Sequence, residues 1–229
     1  MTKKKKVSSP QALQNVEETL TRTEQYLEDN YKTLLTWLAV IIGIVGLIWL
    51  GRILLNKRSL EASTQMFQAE RYFEQDSMLL ALNGDGNYPG FIDIASTYKN
   101  TRAGNLARYY AGIAFLKSGE FENAIEYLGK FRNRDKVLAA TATAATGDAW
   151  VELGDLSEGV TFYMKAAGIS DGNSFLEPVF LMKAAQVYES LQEYAKAAET
   201  YERIFSDYPT TSEGQTAEKL LARVRLLAK

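Results

Sequence analysis

The chain has 229 residues, with no cysteine and no histidine, and a formal net charge of −2. The commonest metal ligand, the commonest general base and any thiolate are thereby excluded, so no enzyme, metal site or cofactor is expected. The charge is uneven: residues 1–58 hold nine Lys and Arg against five Asp and Glu, residues 59–229 hold 17 against 23, and the acidic larger part argues against nucleic acid as partner.

The lack of cysteine fits a reducing compartment and equally a periplasmic protein held by packing alone. Residues 1–8 (MTKKKKVS) read as a disordered basic tail that an anionic leaflet would attract. Residues 9–32 read as an amphipathic helix. Ser9 suits the cap, Pro10 the first turn, and Leu13, Val16, Leu20, Leu27 and Tyr31 form a sparse apolar stripe. That stripe either docks on a partner or belongs to a loosely ordered stalk.

Residues 33–55 read as one transmembrane helix. Nineteen positions, 33–51, carry no charge. At ~1.5 Å per residue they give roughly 29 Å of helix, a bilayer core's thickness. Trp37 and Trp49 stand near the ends, where indoles favour the interface, and Arg52 can snorkel. A secretion signal has a short basic front and a small-residue cleavage site. Here 32 residues precede the apolar core and only a poor site, Leu60-Glu61-Ala62, follows, so the segment is expected to stay uncleaved. Ala39, Gly43 and Gly46 form a small-residue stripe. It is either a packing face for another membrane helix or the ordinary glycine content of a span. Charge alone does not orient the span. Six cations precede it (Lys3 to Lys6, Arg22, Lys32), but close to it Arg22 and Lys32 face Arg52, Lys57, Arg58 and Arg71 on the other side.

Residues 56–229 contain repeats. The segments 109–131, 143–166 and 181–204 align at spacings of 35 and 38. The matched columns are Gly112, Gly147 and Ala185; Phe115, Trp150 and Tyr188; Gly119, Gly154 and Gln192; Phe121, Leu156 and Tyr194; Ala124, Gly159 and Ala197; and Leu128, Tyr163 and Tyr201. Small residues let two helix axes approach, and large ones fill what remains. The pattern resembles the tetratricopeptide repeat, two antiparallel helices per unit. An upstream repeat shows Ala69, Tyr72, Asp76, Met78 and Ala81 at the same spacings before NGDGNYPG interrupts its second helix. A motif, SxYxxTxxGxxA, closes the first repeat at Ser96 to Ala107 and the last at Ser206 to Ala217, 110 residues later. The expected architecture is therefore all-α. A transmembrane helix leads into a solenoid of about four repeats (60–99, 105–136, 140–172, 178–209) with a capping helix at 213–228. An EF-hand loop starting at Asn83 fails, because its glycine and glutamate places hold Tyr88 and Ile94. Gly84, Asp85 and Gly86 read as a turn. A methyl group on Gly84 should be tolerated better than a large side chain on Gly147, unless its backbone needs a positive φ.

The order of features resembles the YfgM-type ancillary subunit family of the SecYEG translocon, and the tracts GDGNYPGFIDI and TRAGNLARYYAG resemble its Bacteroidota version. That resemblance implies a bacterial inner-membrane protein with its amino terminus in the cytoplasm and its repeats in the periplasm. It implies translocon subunits, periplasmic chaperones or secreted chains as partners, membrane lipid around the span, no small-molecule substrate and no catalytic residues. Arg52, Lys57 and Arg58 run against that topology. By analogy with other tetratricopeptide proteins, the first helices line a concave groove. Its expected lining is Leu106, Tyr109, Ile113, Leu116 and Lys117; then Thr141, Ala144, Asp148, Val151 and Glu152; then Val179, Met182, Gln186, Glu189 and Ser190. These residues either face a partner or pack against the capping helix and the long first helix. The expected function is a membrane-anchored scaffold for protein–protein interaction at the translocon. The alternative is an anchored adaptor of another envelope complex, facing the cytoplasm.

Overall fold

The computed structural model describes residues 10–227, with side chains from Asn30 onward; the tail read at 1–8 lies outside the described residues. Every regular element among the described residues is helical, and one isolated bridge joins Gly84 to Pro89. The first helix, α1 (Pro10–Glu74), runs without a break through the segments that the sequence reading divided at 32 and 55. The chain separates into two units, Met1–Leu54 and Leu55–Lys229.

The first unit is helix alone where it is described. Its apolar side chains have no cover: Leu47 is 71% exposed and Trp49 67%. Nothing lies within 4 Å of a Cβ built on Gly43 or Gly46. The helix is long and apolar enough to cross a membrane.

The second unit begins with the last turns of α1. It continues with α2 (Met78–Asn83), α3 (Phe91–Thr97), α4 (Arg102–Lys117), α5 (Phe121–Lys130) and α6 (Lys136–Glu152). Then come α7 (Leu156–Ile169), α8 (Glu177–Ser190), α9 (Tyr194–Asp207) and α10 (Ser212–Leu227). Successive helices from α2 to α10 pack pairwise, and α2 with α4, α4 with α6 and α8 with α10 also touch. This is a stack of antiparallel helix pairs.

The matched columns each have a physical reason. A Cβ on Gly112 would come 2.6 Å from Leu128 Cγ, and one on Gly147 2.9 Å from the Tyr163 ring, so these are the crossings of α4 with α5 and α6 with α7. At the corresponding crossing of α8 with α9, Ala185 and Tyr201 are both fully buried. The turn column holds Gly119, Gly154 and Gln192 at φ of 79°, 87° and 60°, and Asp76 takes its place in the first repeat at 59°. Each ends its helix with the left-handed residue of a Schellman turn. The amide two places beyond the cap returns to the carbonyl of the aromatic column: Ser77 to Tyr72, Glu120 to Phe115, Asp155 to Trp150 and Glu193 to Tyr188.

The SxYxxTxxGxxA motif is a cap built twice. The Thr101 and Thr211 hydroxyls accept from the amides of Gly104 and Gly214, each at 3.0 Å, and donate to the carbonyls of Tyr98 and Tyr208. A Cβ on either glycine would overlap that same tyrosine carbonyl, which is why glycine stands there. The tyrosine hydroxyls donate to glutamates of the repeat's first helix, Tyr98 to Glu61 and Tyr208 to Glu177. Glu177 is 1% exposed and also holds Arg203 and the Gly172 amide.

The first repeat's second helix is split into α2 and α3. Asp85 closes the intervening turn by accepting from the amides of Asn87 and Tyr88, while Tyr72 donates to its other oxygen. These donors, the Tyr88 amide first, hold its carboxyl below the usual range. Gly84 has φ +80° and its missing Cβ would overlap the Tyr88 carbonyl, so the tolerance expected there is corrected: the backbone does require glycine. Phe91 re-anchors the chain, fully buried and stacked on Tyr110 with centroids 5.2 Å apart.

Candidate functional site: the face of the first helices

The structure divides the residues proposed to line the groove. Leu116, Lys117, Asp148, Val151 and Glu152 meet around one open cavity of about 550 Å³, together with Gly119, Phe121, Tyr163 and Lys183. The others pack against their own and neighbouring repeats. Leu106 is half-buried against the core of the first two repeats. Tyr109 and Ile113, with Leu116 beside them, lean on Leu128, Phe131, Ala142 and Ala145, and the Tyr109 ring stands 5.3 Å from that of Phe131. Val179 and Met182 are half-buried on the core of the last two repeats, and Ala144 is buried within it. Thr141 donates to the Val137 carbonyl and Ser190 to that of Gln186, so both hydroxyls serve their own helices.

Of the three acids in the expected lining, Asp148, Glu152 and Glu189, two are already paired with cations. Asp148 is bound by Lys183 and by the Tyr163 hydroxyl, both at 2.6 Å. Glu189 is bound by Arg223 of the capping helix and by the Tyr201 hydroxyl, both at 2.6 Å. Glu152 is exposed, with no ion-pair partner among the described residues. Lys117 pairs with Asp76 at 2.9 Å and lies over the Phe73 ring. Exposed pairs of this kind contribute little to stability.

Tyr163 and Tyr201 fill the same crossing in consecutive repeats, and each hydroxyl donates to an acid of the facing helix, Asp148 beside Gly147 and Glu189 one turn beyond Ala185. Burial first, and the carboxylate second, pushes both phenols well above their usual range. Lys183 and Tyr163 are neighbours in this cavity that the sequence reading did not place there. Lys183 sits 35 positions from Asp148, one repeat away, and the repeat period is the only signal that would have paired them.

The arrangement can hold a segment of another chain by apolar contact on Leu116, Phe121 and Val151, with Glu152 at the rim.

The comparisons agree with this geometry. The tetratricopeptide repeat model matches residues 106–135 and 180–211. Among solved structures, the chain is similar to the TPR-like repeats described as a Podosopora anserina kinesin light chain. The identity is 13%, the TM-score 0.56, and the match covers 73% of this chain and 86% of the other. No curated protein matches by sequence. The second unit is thus a tetratricopeptide solenoid, and a fold of this class is a scaffold for protein partners.

Proposed function

We propose that this protein is a single-span, membrane-anchored scaffold whose repeats bind protein at the SecYEG translocon from the periplasmic side. The observation that carries the anchoring is the uncovered apolar helix of 33–51, of spanning length and fused to a stack of helical repeats. The translocon reading rests on the resemblance of the GDGN and AGNLA tracts and of the architecture to the YfgM type. The cavity framed by Leu116, Lys117, Asp148, Val151 and Glu152 is the partner site within this reading, and Tyr109, Ile113 and Met182 support its walls. The stripe Ala39, Gly43 and Gly46 offers a second contact, to a membrane helix.

Arg52, Lys57 and Arg58 favour a second reading, a cytoplasm-facing adaptor. Carboxyl-terminal fusions to alkaline phosphatase and to green fluorescent protein separate the two. Phosphatase activity without fluorescence is expected, and the reverse sinks the periplasmic assignment. Co-purification in mild detergent tests the partner: SecY should follow the wild-type chain and follow Glu152→Lys less. Equal recovery with both chains removes the cavity, and no SecY with either removes the translocon.

A further inference from the structure

The cavity between Leu116, Phe121 and Val151 is framed by charge of one sign. It opens where α4 turns into α5 and α6 into α7. Residues 118–125 hold Glu120 and Glu122, residues 152–162 hold Glu152, Asp155 and Glu158, and neither stretch has a Lys or Arg. All five acids are exposed. At the other end of α4, α5 and α6 stand Arg102, Arg132, Arg134 and Lys136, with Asp135 the one acid in 131–136. The acidity is therefore gathered at the turns beside the cavity rather than spread along these helices. The two cations that line the cavity do not cancel it. Lys117 is bound to Asp76 at 2.9 Å, and Lys183 to Asp148 at 2.6 Å.

Four of the five acids have a local reason to be there. Glu120 and Asp155 precede α5 and α7, and Glu122 and Glu158 lie in the first turns, where the helix dipole favours a carboxylate. Glu152 has no such reason. It is the last residue of α6, where the dipole disfavours negative charge. It takes part in no ion pair among the described residues. Its counterpart one repeat earlier is Lys117, since each stands two places before the glycine of the turn column, Gly119 and Gly154. Lys117 suits its helix end and is paired. Glu152 thus holds, at the rim of an apolar cavity, a charge that its own fold does not use.

We infer that the segment bound in this cavity is basic: an apolar side chain enters between Leu116, Phe121 and Val151, and a lysine or arginine beside it pairs with Glu152. The apolar contact holds the segment and the charge selects it, while the four other acids extend the attraction beyond contact. The inference rests on the reading of this cavity as the partner site.

The test uses the full chain in phosphatidylcholine nanodiscs, whose lipid carries no net charge to favour either probe. The probes are two end-blocked peptides, Ser-Lys-photoleucine-Leu-Lys-Ser and its counterpart with glutamate in place of lysine, with crosslinks mapped by mass spectrometry. The lysine peptide should crosslink to residues 116–121 and 148–152 roughly ten-fold more than the glutamate peptide, an excess that added salt reduces. Glu152→Lys should reverse the order, a gain for the glutamate peptide that an unfolded variant could not show. Glu152→Gln should level the two. Equal crosslinking of both peptides by the wild-type chain overturns the proposal, as do crosslinks confined to other residues or none at all. A lysine preference that survives Glu152→Lys also overturns it and assigns the preference to the acids of the turns. SecY that still follows the wild-type chain after such a result leaves the translocon reading in place. SecY that is absent while the peptide preference holds removes that reading alone.

Discussion

Replacing Glu177 by alanine should loosen the carboxyl-terminal third of the stack and leave the rest intact. The side chain is 1% exposed and receives three donors: the Gly172 amide at 2.7 Å, the Tyr208 hydroxyl and the Arg203 guanidinium. Arg203 is 41% exposed and rehydrates when its partner goes, so its share is small. The Gly172 amide and the Tyr208 hydroxyl are left half-buried without a partner, at ~1–1.5 kcal/mol each. The vacated volume adds ~1 kcal/mol, and relief from burying a carboxylate offsets part of the sum. The net cost is ~2–4 kcal/mol. Stack contacts run only between neighbours, so amide exchange in α8 and α9 of the full chain in mild detergent should quicken by roughly 30-fold to 900-fold. Exchange in α4 and α5 should not change. Glu61 makes the same tyrosine contact in the first repeat but is exposed, so Glu61→Ala should cost under ~1 kcal/mol. Equal effects of the two substitutions, or less than ~1 kcal/mol for Glu177→Ala, would refute the argument that burial sets the strength of this contact.

Gly147→Leu places a side chain where a Cβ already comes 2.9 Å from the Tyr163 ring, and overpacking of this kind should lower stability by ~1–3 kcal/mol in urea unfolding. Gly84→Ala should also destabilise, because L-residues resist φ +80° and the methyl meets backbone; an unchanged urea midpoint would count against the turn. Thr211→Val removes the hydroxyl that caps α10 and should cost ~1 kcal/mol by the same measure. Alkali should unfold the domain through its phenols. Below pH ~10 folded and unfolded tyrosines are both protonated and the stabilisation is complete. Above it the unfolded chain loses protons first, so stability falls with rising pH until the folded groups titrate, Tyr208 at about 12. Urea midpoints between pH 9 and 11.5 should drop, and less so in Tyr201→Phe, whose phenol burial and Glu189 also raise.

The repeats were legible because six columns recur at nearly constant spacing, and each column serves one local need: a close crossing, a left-handed turn or a filled gap. Gln192 and Asp76 show why composition alone would have missed the turn column, since neither is glycine yet both adopt its φ. The doubled exit motif was legible as a pattern, but its chemistry was not. Glu61 and Glu177 lie 37 and 31 positions from the tyrosines they hold, and one of the two is exposed. The half-burial of Tyr109 and Met182 depends on how far neighbouring repeats rotate, which no single repeat encodes.

The stack's contacts are almost all between helices adjacent in the chain. Each helix pair needs only the pair made before it as a surface to fold on. A polypeptide delivered amino-terminus first can therefore complete the first repeat while the last is still being synthesised. The growing end is always the exposed one until α10 arrives and Arg223 and Arg225 fasten it to Glu189 and Glu202. A chain that folds as it is delivered can therefore close its stack in the order of synthesis, with the capping helix last.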